Sequence, residues 1–279
     1  MEKNFQLRLL FRLSLIAVLP LFFSCARGKS NEHKIANDSI AYDLKIATLP
    51  TIDALPLYLA QQSGMLDSIN LKVALIPFKS QFDCDTALIN ESVDAIFMDK
   101  VRQAKYKAEG YTFYSVMNIC NQYALVTSKD SEIYSIRNLS NQTVAIARQS
   151  ADDEFCEQTL NKFGIALNQV HYPQINDLYL RTQMLNNRQV DAAVLPEPMA
   201  TMAYAQGHKV LYKAQISTDA ATQIVCLANH PRKELLNQLS EVYHKAQTIL
   251  EQEGLQQCHE ILSIQFKVPA NAIDTLFAK

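Results

Sequence analysis

Four short segments put polar side chains at the junction between an apolar run and a helix-like stretch: Pro50-Thr51-Ile52-Asp53, Met98-Asp99, Arg148-Gln149-Ser150 and Leu195-Pro196-Glu197-Pro198. Asp53, Asp99 and Glu197 supply carboxylates, which accept charge-assisted hydrogen bonds from amino groups or a cationic ring. Thr51, Gln149 and Ser150 add neutral donors and acceptors, with Pro50 beside them. This is the chemistry of holding a small molecule. The six His and six Cys are scattered, without HxH, HExxH or CxxC spacing. No metal site, cofactor site or catalytic group is expected from them. Only six residues are Gly, and neither GxGxxG nor GxxxxGK[ST] occurs, which removes dinucleotide and P-loop chemistry.

Each of these residues also has a purely structural role open to it. Asp53 and Asp99 can cap the helices that follow them. Ser150-Ala151-Asp152-Asp153 fits a capping box with Asp in place of the preferred Glu. Glu197 can complement a helix dipole from the first turn after Pro198. Tyr58, Tyr123 and Tyr179 can stack on a planar ligand or pack in the core, whereas Phe155 and Phe163 stand at core spacing. Around Ser150 the charge is one-sided. Asp152, Asp153 and Glu154 occupy the first turn of a helix, and across the four segments only Lys100 and Arg148 oppose the acids. That balance favours an amino-bearing planar ligand, such as an aminopyrimidine, held between Asp99 and Glu197.

The elements that must position these loops alternate. Strand patterns at 43–49, 71–76, 93–98 and 112–117 are separated by helix patterns at 54–63, 86–90 and 99–109. The order recurs with strands at 143–147, 169–172 and 190–195 and helices at 151–163, 177–187 and 198–206. Such alternation predicts α/β architecture with two mixed, mostly parallel sheets. An internal echo supports two lobes: Thr86, Asn90 and Val93-Asp94-Ala95 lead to Asp99, and Thr182, Asn186 and Val190-Asp191-Ala192 lead to Glu197. The β-like stretches 121–128 and 222–229 read as two hinge crossings. Lobe one is then 43–122 with 228–279, including a long amphipathic helix at 231–253 and shorter ones at 255–265 and 269–277. Lobe two is 123–227. Gly64, Gly110, Gly164, Gly207 and Gly254 each follow a helix pattern, as C′ residues do.

Ahead of the lobes stands an address. Lys3, Arg8 and Arg12 precede an apolar run from Leu13 to Phe23, too short to span a bilayer. Leu21-Phe22-Phe23-Ser24-Cys25 resembles a bacterial lipobox, with Phe22 where Leu is usual. It predicts a signal peptide over 1–24, an acylated (palmitate-bearing) Cys25 and a polar tether over 25–42, placing the protein on the periplasmic side of the cell envelope. An uncleaved anchor or ordinary signal-peptidase cleavage is the alternative. With 26 basic and 28 acidic residues, the chain has no basic surplus for nucleic acid. Cys84, Cys120, Cys156, Cys226 and Cys258 remain after processing; export permits disulfides, while their apolar neighbours suit small buried side chains.

Over about residues 43–265 the order of elements resembles the type 2 periplasmic substrate-binding proteins of ABC importers. Within them it is similar to the branch serving sulfonates, nitrate and thiamine-pyrimidine precursors. The resemblance rests on Thr48-Leu49-Pro50-Thr51-Ile52-Asp53-Ala54-Leu55-Pro56-Leu57 with Ala60 and Gly64, on Val190-Asp191-Ala192-Ala193-Val194-Leu195-Pro196-Glu197-Pro198, and on Asn138-Leu139 before Thr143-Val144-Ala145. Ser140-Asn141-Gln142 replaces the family's usual Gly at that last turn. The resemblance implies a monomeric, lipid-anchored receptor, not an enzyme, that closes around a small molecule and passes it to an ABC permease and ATPase. Enzymes of menaquinone or thiamine-pyrimidine synthesis use the same scaffold, and a sensory lipoprotein is a third reading. No two cysteines here lie closer than thirty residues, unlike the dense Cys motif of the synthases.

Overall fold

The computed structural model describes residues 41–119, 121–216 and 221–277. The signal, nearly all of the tether, Cys25 and Cys120 lie outside the described residues. The first set of elements comprises β1 (Leu44–Thr48), α1 (Leu55–Gln62), β2 (Val73–Pro77), α2 (Gln81–Ile89), β3 (Ala95–Asp99), α3 (Lys100–Ala108) and β4 (Phe113–Ile119). The second comprises β5 (Gln122–Thr127), β6 (Val144–Ala145), α4 (Ala151–Lys162), α5 (Leu178–Asn186), β7 (Ala192–Pro196), α6 (Met199–Ala205) and β8 (Lys209–Gln215). Then β9 (Thr222–Leu227) returns the chain to the first sheet.

Two separate sheets result, ordered β2-β1-β3-β9-β4 and β6-β7-β5-β8. Pairings β1–β2, β1–β3 and β6–β7 are parallel; β9 and β5 each bring two antiparallel neighbours. Both sheets are thus mixed, and the parallel part is confined to the strands that lead into helices. Strands β3 and β7 are buried along their whole length, which is why they read as unbroken apolar runs. Gly64 (φ +74°) and Gly164 (φ +75°) take the left-handed position after α1 and α4, where a side chain would be strained.

The internal echo has a physical basis. Asp94 accepts a hydrogen bond from the Lys45 amide at 2.6 Å, and Asp191 accepts one from the Thr143 amide at 2.8 Å. Each carboxylate satisfies the backbone near the start of the neighbouring parallel strand. The repeated Val-Asp-Ala is therefore a strand-start device used once per lobe.

The structure moves several expected boundaries. Segments 121–128 and 222–229 supply full strands instead of free crossings: β5 lies inside the second sheet and β9 inside the first. The chain changes sheet between Ile119 and Gln122, and again between Ile216 and Ala221, so lobe two ends before β9 and not at 227. An apolar stretch announces a strand but not the sheet it joins. Segment 169–172 forms only isolated bridges, His171 to Thr143 with Gln174 to Ile146 beyond it. Pro173, which has no amide hydrogen, stands between them. The expected helix 86–90 begins earlier, at Gln81, where Ser80 caps it by accepting from the Asp83 amide at 3.2 Å. Strand β8 was not expected at all.

The tail straddles the lobes. Helix α7 (Lys233–Glu253) lays Leu236, Leu239, Val242, Tyr243 and Ala246 inward and packs along α1. Segment 255–265 breaks into a 3-10 turn at Gln256–Cys258 and a π-helical turn at Ile261–Gln265. The last helix, α8 (Ala270–Phe277), packs on α6 of the second lobe, so residues 228–279 do not belong wholly to lobe one. Cys84, Cys156, Cys226 and Cys258 are buried and unpaired. Among the described residues no helix is long and apolar enough to cross a membrane.

Candidate functional site: an acidic chamber between the lobes

Loops at the carboxyl ends of β1, β3, β6 and β7 meet between the two sheets, as ligand-binding loops of parallel α/β sheets do. They enclose a chamber of about 60 Å³. On this scale one water needs about 10–15 Å³, so the chamber as it stands holds a few waters. Main-chain bonds join the lobes around it. The Ile52 amide donates to the Glu197 carbonyl at 3.0 Å, and the Leu178 amide donates to the Lys79 carbonyl at 3.1 Å. A bridge between Ser80 and Asp177 adds to the second of these. The lobes are shut.

Three carboxylates line the chamber: Asp53, Asp99 and Asp152. The guanidinium of Arg181 is the one cationic side chain among the lining residues. Arg181 is fully buried; its Nη1 donates to the Asp152 carboxylate and to the Val194 carbonyl (2.7 Å), and its Nε to the Ile175 carbonyl (2.9 Å). With all groups ionised, two negative charges remain in excess. Phe97 and Tyr123 form aromatic walls, while Gln81, Asn121 and Asn176 supply amides.

Asp99 caps α3, accepting from the Arg102 amide at 2.8 Å. The Ala151 amide at the start of α4, in the other lobe, also favours its charged form. Asp99 therefore caps a helix and lines the chamber. Burial pushes its carboxyl up to about 7, with neighbouring Asp152 adding to the rise; the two amides and Arg102 act in the opposite direction. Burial likewise raises Asp53, opposed by hydrogen bonds from Thr51 and Asn121. The Tyr123 hydroxyl, buried in the field of all three acids, is pushed far above its usual range.

Asp53 does not cap α1. It sits inside a 3-10 turn at Ile52–Ala54, and its carboxylate accepts from Asn121 Nδ2 at 3.2 Å. Asn121 also donates to Thr222 Oγ1 at 2.9 Å, and its carbonyl accepts from the Ile216 amide at 3.0 Å. One amide side chain thereby ties both sheet changes to the first loop.

Of the expected site residues, the chamber gathers Thr51, Asp53, Asp99 and Ser150. Ser150 is a cap as well: its hydroxyl donates to the Ala147 carbonyl at 2.6 Å and accepts from the Asp152 amide at 3.2 Å. Pro50 is buried behind the loop and is not a wall. Gln149 is exposed at φ +55°, its amide bound to Asp153 at 2.8 Å. Glu197 is not a chamber wall either. One of its carboxylate oxygens accepts from the Thr201 amide at 3.0 Å and the other pairs with Lys213, so the acid beside Asp99 from lobe two is Asp152. Of the three tyrosines weighed as stacking partners, Tyr123 alone lines the chamber. Tyr58 bonds Thr48 at 2.8 Å and Tyr179 the Phe266 carbonyl at 3.0 Å.

Asp152, Arg181 and Asn121 were missed as site residues. Its sequence position marks Asp152 as part of the acidic first turn of a helix, without marking it as a chamber wall. The available signal for Arg181 was a lone cation on the inward face of a helix with Leu178, Thr182 and Leu185. Among the described residues, no group of three or more His, Cys, Asp and Glu is arranged to hold a metal ion.

A second, larger hollow of about 480 Å³ adjoins the chamber, and Thr51, Asp53, Asn121 and Pro196 line both. Glu197 and Lys213 stand on its wall with residues of α7 and α8.

No curated protein matches the sequence. Solved structures do match the fold. The periplasmic aliphatic sulphonate binding protein SsuA from Escherichia coli is 16% identical with a TM-score of 0.66, the match covering 84% of this chain and 82% of that one. The alkanesulfonate-binding protein SsuA from Xanthomonas axonopodis pv. citri, bound to MOPS, is 16% identical with a TM-score of 0.71, covering 84% and 83%. The ligand binding component of an ABC-type import system from Staphylococcus aureus, with zinc bound, is 17% identical with a TM-score of 0.65, covering 84% and 83%. The sequence pattern described as NMT1/THI5 like matches residues 51–229, more than half of the chain, and spans the loops that build the chamber. On that match and this two-lobed architecture, the chain belongs to the NMT1/THI5-like family and has the type 2 periplasmic-binding-protein fold.

Proposed function

We propose that this protein is a lipid-anchored extracytoplasmic receptor that captures an amino-bearing planar molecule between its lobes and hands it to an ABC permease and ATPase. The observation that carries this reading is the composition of the chamber: three carboxylates against one guanidinium whose charge is already engaged. Charged donors are what such a wall accepts best. An anion in the same chamber would meet more acids than bases. The natural anion seat would be the amino end of α4. There Ser150 caps the helix, the Ala151 amide favours the charged form of Asp99, and Asp152, Asp153 and Glu154 fill the first turn. The aromatic walls Phe97 and Tyr123 suit a flat ring. Opening of the lobes admits the ligand, and closure removes it from water.

Calorimetric titration of the full-length protein with an aminopyrimidine and with an alkanesulfonate tests the reading. The amine should bind, and Asp99→Asn should weaken it by about 1.5–3 kcal/mol, the worth of a buried hydrogen bond to a charged group. Tight sulfonate binding indifferent to that substitution would overturn it. For the anchor, Cys25→Ala should release the protein into the soluble fraction or stall its processing; unchanged membrane retention would argue for an uncleaved span.

A further inference from the structure

The larger hollow is unexplained by a receptor for a compact amine alone. At about 480 Å³ it falls within the range of pockets that hold drug-sized molecules, and it has several times the room of the chamber. Its character is also different. Ile52, Ile119, Leu250, Leu255 and Leu276 give it apolar walls, and Gln122, Gln215 and Gln247 rim it with neutral amides. Of its charged side chains, Glu197 and Lys213 are paired with each other, and Glu251, on α7, accepts from the neutral Gln247 amide at 3.0 Å.

The two hollows share one wall. Thr51, Asp53, Asn121 and Pro196 are common to both linings, so a carboxylate stands between a polar compartment and an apolar one. The larger hollow takes its walls from β5, β7 and β8 of one lobe and from β4, α1 and α7 of the other. It is therefore as much an inter-lobe space as the chamber is.

We propose that the two hollows are one bipartite site, whose ligand is an amine or amidine joined to an uncharged apolar body of about ten heavy atoms. The cationic head lies among Asp53, Asp99 and Asp152, and the body extends past Thr51 and Asn121 between Ile119 and α7. This rests on the amine reading of the chamber and adds the second half of the molecule. It accounts for the predominance of amides and apolar side chains in the larger space, against the chamber's three acids.

Full-length protein is titrated calorimetrically with methylamine, 4-phenylbutylamine and 4-phenylbutyrate. The phenylbutylamine should bind at least tenfold tighter than methylamine, and phenylbutyrate should bind at least tenfold more weakly than the phenylbutylamine. Gln247→Trp and Leu250→Trp, both on half-buried positions of α7, fill the larger hollow. Each should abolish the advantage of the phenylbutylamine while leaving methylamine unchanged. Equal affinity for the two amines, with both sensitive to Asp99→Asn, overturns the bipartite site and leaves the amine receptor standing. Phenylbutyrate as tight as phenylbutylamine would make the larger hollow a separate apolar site and also overturns it. If no amine binds, the amine reading falls and the bipartite site falls with it.

Discussion

Each lobe buries one Asp–Arg pair, and the two pairs do different work. In lobe one, Asp85 on α2 accepts from Arg102 Nε on α3 at 2.6 Å, with both side chains almost wholly inaccessible. That pair lies behind the chamber wall; Gln81, which donates to Asp85 at 2.9 Å, reaches the chamber in its place. In lobe two, Asp152 on α4 and Arg181 on α5 form the wall itself. Similar chemistry thus serves as internal scaffolding in one lobe and as a chamber wall in the other. A buried ion pair by itself says nothing about function; its position relative to the strand ends does.

The sharpest way to break this comparison is to remove the cation from each pair. Arg102→Met and Arg181→Met each strand a buried carboxylate, and each should cost about 3–5 kcal/mol in chemical denaturation. Only Arg181→Met should also change ligand affinity in the titrations above. If both variants alter affinity equally, the distinction between scaffold and chamber wall fails.

A second test uses pH. Asp99 has its folded value raised to about 7, so the folded protein holds a proton that the unfolded chain has released. Its contribution is fully present below the unfolded value near 4 and is lost as pH rises through about 7. The difference in stability between the unmodified protein and Asp99→Asn should shift by about 3 kcal/mol between pH 4.5 and 7.5, since each unit is worth about 1.4 kcal/mol. Paired denaturation curves at pH 4.5 and 7.5 measure it. A flat difference would place Asp99 in contact with water.

Smaller effects probe the echo between lobes. Asp94 and Asp191 each hold a backbone amide of the adjacent strand, and each has a further partner, His230 at 2.8 Å and Thr143 Oγ1 at 2.7 Å. Replacing either with Ala should cost about 1.5–3 kcal/mol, with no change in ligand affinity. Ser150→Ala should cost about 1 kcal/mol as a lost cap, read as a small shift in the denaturation midpoint.

Much of this fold was legible because periodicity reports burial. The runs at Ala95–Asp99 and Ala192–Pro196 are apolar because helices cover both faces, and the glycines mark turns that other residues enter only with strain. What stayed hidden was partnership. Nothing in Thr222–Leu227 says that it joins the first sheet, because the donors that decide this lie some hundred residues upstream, on β3 and β4. The site was half visible for the same reason. Asp53, Asp99 and Ser150 stand at strand ends and could be found by position. Glu197 stands at one too, yet Lys213, on a strand that the pattern did not announce, draws its carboxylate aside. Arg181 reaches the chamber by the length of its side chain, which spacing does not reveal.

The seam at Lys79, Ser80, Asp177 and Leu178 has a further consequence. It is stitched by peptide groups, and every residue other than proline carries the same amide and carbonyl. Side-chain substitutions along that seam leave its hydrogen bonds in place, so on the proposed function the capacity to shut would be inherited almost independently of what is shut inside. The chamber, by contrast, owes its character to a handful of side chains. Descendants of such a chain are free to drift from one cargo to another, a carboxylate at a time, without passing through a form that has lost its grip.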